Sequence, residues 1–364
     1  MDFTGAIAKL KHYWFMAVEH PYILPRIGRS MLLAWGGRHV LRGVELAITY
    51  RCQARCRHCL QTKLVHPETK ELTPEEIGCI ADDFLALGGI NINITGGEAL
   101  LRDDLIDCIE AARPNKAFVT LATNGYLVTR PMVRELKRAG IRMVTISLDA
   151  PDAETHDRIR GLPGSFDAVI RGARYFKEAG IRVFLNTIMT KENTENGDIY
   201  RIVDLTRSEG HVCTINLPYA VGAWEGVRDN RLNPEQIKEY WRLIHQPGVR
   251  WEGDANYLKE GCPAGTEKIY ITPYGDVMPC AVIHSSFGNI RKKSLYDIYF
   301  KMRSMDIFKD VHGLCMVGAN TVFQTRVLDR INRAARNLDA VDAMVKPLEE
   351  ITYSEVEPGK GELP

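Results

Sequence analysis

From about residue 44 the chain repeats one rhythm: a short apolar, β-branched run, a polar turn, then apolar residues at helical spacing. The strand-like runs are Val44–Thr49, Ile90–Thr95, Ala117–Ala122, Met143–Leu148, Val183–Met189 and Val212–Leu217. Helical patterns fall between them near 74–88, 102–112, 131–139, 165–179 and 196–209. Thr73-Pro74-Glu75-Glu76 reads as an N-cap with proline at the first helical position. Gly140 and Gly180, each behind a basic last turn, read as helix stops. This succession of β-then-α units predicts an α/β fold of parallel strands joined by right-handed crossovers. An open doubly wound sheet and a barrel both fit the periodicity. Polar and glycine-rich segments gather just after the first four strands, the face where parallel α/β folds collect ligands. The expected fold is a partial (β/α)6 TIM-like barrel over residues 44–233.

Composition adds limits. At 364 residues the chain is long enough for one large α/β domain and a smaller appendage. Its apolar share of 45% and charged share of 26% are ordinary for a globular protein, and a formal net charge of +1 points to no nucleic-acid partner. No apolar run approaches the roughly 18 residues of a membrane span, and the first residues lack the order of a secretory signal. A cytosolic location is the expectation. Nine cysteines then call for a reason, because cytosolic thiols seldom form structural disulfides.

Three of them, Cys52, Cys56 and Cys59, form a C-x3-C-x2-C triplet directly after the first strand. Three thiolates can hold three corners of a cubane iron–sulfur cluster and leave the fourth iron open for a ligand. Zinc is the alternative. It takes four closed ligands or a nitrogen- and oxygen-rich catalytic set, and the triplet alone offers neither.

This loop resembles that of the radical S-adenosylmethionine superfamily, which has the same spacing. The resemblance implies a [4Fe–4S] cluster on Cys52, Cys56 and Cys59, S-adenosylmethionine on the open iron, and His58 near the adenine. Thr95-Gly96-Gly97-Glu98, after the second strand, resembles the family's GGE motif. Gly96 and Gly97 would let backbone approach a ligand closely, and Glu98 would hold the methionine amine. Ile146-Ser147-Leu148-Asp149 with His156–Gly161 resembles the branch that carries C-terminal iron–sulfur domains. That implies a hydrogen bond from Ser147 to the cosubstrate and pairing of Arg160 with its carboxylate. The competing reading has Asp149 and His156 cap the following helix. Thr123-Asn124-Gly125 is turn chemistry, with Asn124 a further cosubstrate contact, and Asn186 is similar to a pocket-lining position of the family.

The second half carries Cys262-Pro-Ala-Gly, a hairpin pattern around Pro273–Asp276, Cys280, and Gly288-Asn289 ahead of Ser294-Leu-Tyr-Asp. The spacing Cys262-x12-Gly275-x4-Cys280 resembles the auxiliary-cluster domains called SPASM and twitch. It implies a small α+β C-terminal domain, set at 234–318, with one auxiliary cluster on Cys262, Cys280 and Cys315. His312, three residues before Cys315, stands as the fourth ligand, with a non-protein group, the substrate or a structural zinc as alternatives. Cys79 and Cys108 read as core residues, and Cys213 as either core or a pocket thiol that gives a hydrogen atom to a substrate radical.

Residues 1–43 hold Trp14-Phe15, Tyr22 and Trp35 with basic residues in excess, a pattern that caps a barrel or lies peripherally on a membrane. Val327, Ile331, Ala334, Leu338, Val341 and Val345 mark an apolar helical stripe in the tail 319–364, packed on the parent domain. The resemblance implies reductive cleavage of S-adenosylmethionine to a 5′-deoxyadenosyl radical that takes hydrogen from a small organic, lipid-like substrate, with flavodoxin or ferredoxin as reductant. Peptide maturation of the SPASM type is the alternative. A metal-stabilised binding or electron-transfer protein is the rival from another class, and it leaves Gly96–Glu98, Ser147 and Arg160 without a purpose.

Overall fold

The computed structural model describes residues 18–36, 38, 40–227, 230–252, 261–308, 315–320, 323–328 and 331. His312, residues 1–17 and the tail positions Ala334, Leu338, Val341 and Val345 lie outside them. Helix α1 (Leu24–Trp35) precedes strand β1 (Gly43–Thr49), and then the alternation runs as the sequence predicts. It comprises α2 (Pro74–Ala86), β2 (Asn91–Gly96), α3 (Leu105–Ala111), β3 (Phe118–Thr123), α4 (Arg130–Arg138) and β4 (Met143–Ser147). After α5 (Ala153–Arg160) and α6 (Ser165–Glu178) come β5 (Arg182–Ile188), α7 (Lys191–Glu195), α8 (Asp198–Ser208) and β6 (Val212–Asn216). Thr73 forms a full capping box with Glu76, and Gly140 and Gly180 take positive φ behind α4 and α6. Helix α5, absent from the sequence pattern, starts on Asp152, whose side chain accepts from the Thr155 amide. Neither Asp149 nor His156 caps it.

The chain then does more than append a domain. Helix α9 (Pro234–Ile244) leads into β7 (Val249–Arg250), which pairs parallel with β6. Residues 234–250, grouped by sequence with the C-terminal part, thus continue the barrel's own rhythm. Strand β8 (Lys268–Ile271) returns to the opposite edge and pairs parallel with β1, placing Val44 against Ile269. A hairpin through Gly275, at φ 91°, adds antiparallel β9 (Val277–Met278). One sheet results, in the order β7-β6-β5-β4-β3-β2-β1-β8-β9. Ser294 caps the next helix, α10 (Leu295–Arg303), as expected, and Cys315 precedes the short α11 (Met316–Ala319).

Side chains alternate across this sheet. Val44, Leu46, Ile94, Leu121, Val144, Ile146, Leu185 and Ile215 join the buried apolar core. Glu45, Thr95, Thr123, Thr145, Ser147, Asn186 and Asn216 line a cavity instead. The N-terminal segment covers the far end of the barrel, where Ile23 packs with Ile90 and Phe118, and the Tyr22 hydroxyl donates to the Pro114 carbonyl at 2.7 Å. Among the described residues no helix is long and apolar enough to cross a membrane.

Candidate active site

The loop that leaves β1 carries Cys52, Cys56 and Cys59 and is strapped on three sides. The Gly97 and Glu98 amides donate to the carbonyls of Thr49 and Arg51 at 2.8 and 2.9 Å. A Cβ on Gly97 would stand 2.5 Å from the Arg51 carbonyl, and one on Gly96 only 2.2 Å from that of Thr49. The exit of β1 thus itself requires both glycines, and both also line the cavity described below. At the end of α5, the carbonyls of Arg160 and Ile159 accept from the Arg55 and Arg57 amides, both at 3.0 Å. On the third side the Ala223 amide donates to the Cys59 carbonyl at 2.9 Å. Gly222, at φ 61°, could bear no side chain there, since a Cβ would lie 2.3 Å from that carbonyl. Gly222-Ala-Trp224 is a site element the sequence reading missed. Its signal was a glycine and an aromatic shortly after β6, on the ligand-collecting face.

The three thiols face a cavity of about 430 Å³ shared with His58, Asn124, Ser147, Asp149, Arg160 and Asn186. Burial pushes the Cys52 thiol up to about 11 and raises that of Cys59. Ionised sulfur here needs positive charge or N–H donors, and donors are present. Asn124 Nδ2 lies 3.7 Å from Cys52 Sγ, and Arg160 Nη1 lies 3.7 Å from Cys56 Sγ. Among the described residues no three His, Cys, Asp or Glu side chains converge on a single ion. Three thiols on one loop, with N–H donors beside two of them and no fourth ligand in the triplet, fit a cluster better than a closed zinc site.

Around them the charged groups are already engaged. Arg160 Nε meets Asp149 Oδ2 at 2.6 Å, and His58 Nε2 lies 3.6 Å from the same oxygen. Burial works to raise the Asp149 carboxyl, yet Arg160 and the two histidines hold it below its ordinary value. The Asp149 amide donates to His156 Nδ1 at 3.1 Å, so His156 braces the carboxylate's backbone. Burial lowers His58 to about 4, and its ring lies 5.6 Å from that of Trp224. Glu98 is fully buried and accepts from the Leu100 amide, the Thr123 hydroxyl and the Asn124 amide at 3.0, 2.8 and 2.7 Å. Burial raises its pKa. Its carboxylate ties the end of β2 to β3, and Oε2, with one partner, keeps accepting capacity; Glu98 itself lies behind Gly96 and Gly97 and does not line the cavity. Asn216, another residue missed from sequence, donates to Asn186 Oδ1 at 3.0 Å.

Cys213 does not belong here. It is fully buried and absent from the cavity wall. Strand alternation turns Cys213 to the helices and its successor Thr214 to the other face, away from the place a hydrogen donor would need. Cys79 is likewise corrected: it lies exposed on α2, whereas Cys108 is buried as expected.

A family model described as the radical SAM superfamily matches residues 46–205, and one described as an iron–sulfur cluster-binding domain, SPASM, matches 262–317. The chain is a radical SAM enzyme with a C-terminal SPASM domain. It is 27% identical over 293 residues to the AdoMet-dependent heme synthase of Nitratidesulfovibrio vulgaris, covering 72% of this chain and 79% of the relative. It is 28% identical to the PqqA peptide cyclase of Granulibacter bethesdensis, covering 71% and 73%. Streptococcus suis SuiB bound to precursor peptide SuiA shares the fold at a TM-score of 0.62 and 20% identity, covering 79% of this chain and 74% of that one.

The SPASM cysteines of this radical SAM enzyme open on the same cavity as the first three. Cys315 draws Cys262 down as a neighbouring thiol, while Cys262 and burial push Cys315 up. Burial pushes Cys280 upward. Three thiols can ligate three irons of an auxiliary [4Fe–4S] cluster. Below them lies an ionic group absent from the sequence reading: Lys268 Nζ meets Glu45 at 2.5 Å and also pairs with Glu252.

Proposed function

We propose that this radical SAM enzyme oxidises a residue of a ribosomally made peptide. One observation carries the reading: both cysteine sets line one cavity, so a substrate near the first also faces the second. Asn186, Asn216 and Ser147 offer amide and hydroxyl groups that suit a peptide backbone. The PqqA peptide cyclase and SuiB, whose names and titles speak of peptides, favour this class over the lipid-like molecule expected from sequence. When bound, the first cluster supplies the electron that splits S-adenosylmethionine into methionine and a 5′-deoxyadenosyl radical, which takes a hydrogen atom from the substrate.

The chain's own residues bind and orient. Arg160, fixed by Asp149, presents its guanidinium to the cosubstrate carboxylate, a charge-assisted contact. Glu98, directly behind the cavity-lining Gly96 and Gly97, has spare capacity at Oε2 for the ammonium. His58 stays uncharged near neutrality and offers a flat face to the adenine. Ser147 hydrogen-bonds the ribose side. Flavodoxin or ferredoxin supplies the electron.

Anaerobically reconstituted enzyme with dithionite and S-adenosylmethionine should release 5′-deoxyadenosine. A precursor peptide encoded beside this chain's gene should then lose two hydrogens by mass spectrometry. The heme-synthase relative favours a second reading, a small organic substrate, for which an iron porphyrin is the probe. Conversion of the porphyrin with the peptide untouched would reverse the order of the two.

A further inference from the structure

Helix α1 is amphipathic in the reverse of the usual sense. Leu24, Gly28, Leu32 and Trp35 recur at 4-4-3 spacing and so share one face. That face is open: Leu24, Leu32 and Trp35 are 43%, 66% and 66% exposed, and a Cβ on Gly28 would meet nothing within 4 Å. The face toward the barrel carries the buried Ser30, with Ile27 packed against Ile23, Ile90 and Phe118. A helix on a globular surface ordinarily turns its apolar stripe inward. Val18, ahead of the helix, is 60% exposed as well.

Cations gather at the same end of the barrel. Arg29 and Arg38 are exposed on and just after α1, and Lys116 is exposed ahead of β3. Arg26 donates to the Lys116 carbonyl, and Arg142 Nη1 donates to the carbonyls of Lys137 and Ile141 at 2.6 and 3.0 Å. Main-chain carbonyls carry no formal charge, so both guanidinium groups keep theirs. The carboxylate of Glu19 is already engaged by Arg182 at 3.2 Å. We propose that this end of the molecule docks on an anionic lipid bilayer, with Leu24, Leu32 and Trp35 in the headgroup layer and Arg29 and Arg38 at the phosphates.

Charge complementarity selects the bilayer. An interfacial helix sets tryptophan and leucine at the boundary of headgroups and acyl chains, while its basic residues meet anionic lipid. A second copy of this chain, docked by the same face, would bring these cations against themselves. The placement also suits catalysis. Ile90, Phe118 and Met143, which α1 and its approach cover, stand at or just before the starts of β2, β3 and β4. The cavity is lined by Gly96, Thr123 and Ser147, at the ends of those strands. Docking through α1 therefore leaves the cavity at the opposite end, facing solution. The proposal stands on the surface alone and holds for either substrate class above.

Sedimentation of the full chain with lipid vesicles tests it. Vesicles of mixed phosphatidylcholine and phosphatidylglycerol should carry the wild type down, vesicles of phosphatidylcholine alone should carry far less, and added salt should weaken the binding. Leu32→Ser with Trp35→Ser should lower the partition coefficient by roughly tenfold or more, since two apolar side chains no longer enter the bilayer. Arg29→Gln with Arg38→Gln should lower it by roughly 25-fold, at about fivefold for each cation near an anionic surface. All four side chains are exposed, so circular dichroism and 5′-deoxyadenosine formation should match the wild type in both variants. A wild type that stays in the supernatant, or equal sedimentation of the wild type and both variants, would overturn the proposal. So would a wild-type dimer in analytical ultracentrifugation that Leu32→Ser with Trp35→Ser dissolves, which would give the face to a second copy.

Discussion

Cys52, Cys56 and Cys59 sit within eight residues of one loop, whereas Cys262, Cys280 and Cys315 come from a hairpin, its approach and a distant helix start. Both sets line one cavity, but they are assembled by different means. The early loop is held by backbone hydrogen bonds to β1's neighbour, to α5 and to Gly222-Ala223, and N–H donors reach two of its sulfurs. The late set depends on β8 finding β1, which brings thiols from distant parts of the chain to one cavity wall. A local scaffold that presents donors suits a cluster that must leave one iron open. A site knit by long-range pairing suits one that is fixed by the fold. The contrast predicts that each can be damaged without the other.

The largest effect should come from replacing Cys52, Cys56 and Cys59 together with alanine. Cleavage of S-adenosylmethionine should vanish, while roughly four irons per chain remain on the late site, the content of one cubane. Iron analysis with a 5′-deoxyadenosine assay decides it. Loss of all iron would mean the late cysteines hold no cluster of their own.

Gly222→Val should come next. It places a β-branched residue at φ 61° with its Cβ against the Cys59 carbonyl. The backbone strain alone is worth about 1–3 kcal/mol. The chain can relieve it by releasing the strap on the early loop. Early-site iron should fall by more than half, and cleavage at least tenfold, with the late iron retained. Full iron and a normal rate would show that the third strap is dispensable.

Arg160→Ala should leave both clusters and weaken cosubstrate binding. A charge-assisted hydrogen bond is worth about 1.5–3 kcal/mol, so affinity should fall roughly ten- to 150-fold by equilibrium binding. Unchanged affinity would confine Arg160 to its contacts with Asp149 and Cys56.

What could be read in advance follows the same contrast. The six barrel strands, the capping box at Thr73 and the early cysteine loop are encoded by neighbours in sequence, so periodicity and spacing reveal them. Lys268 meeting Glu45 and Glu252, Gly222 reaching Cys59 and Asn216 meeting Asn186 are products of strand order. No local pattern marks them. The crowding at Gly96 and Gly97 belongs with them, because the carbonyls of Thr49, Tyr50 and Arg51 are brought there by the pairing of β1 with β2. Cys79 stands off the stripe of Ile77, Ile80, Ala81 and Phe84 that α2 buries, so its exposure was legible from the helix's own spacing.

The smallest effect should be that of Cys213→Ala, which tests the boundary of the cavity itself. Parallel strands covered on both sides lose the clean apolar–polar alternation, so β6 reads from sequence as one buried run and does not reveal which way Cys213 points. Its pairing partner on β5 resolves the question. Cys213 stands beside Leu185, a residue of the apolar core, whereas Thr214 stands beside Asn186, which lines the cavity. Burial pushes this thiol up to about 12. Removing one buried heavy atom there resembles an Ile→Val change, at about 0.5–1.5 kcal/mol of stability. Chemical denaturation should register that loss, while iron content and 5′-deoxyadenosine formation stay within twofold of wild type. A larger loss of cleavage would mean that β6 presents Cys213 to the cavity during turnover, and the wall drawn between the two faces of this strand would have to move.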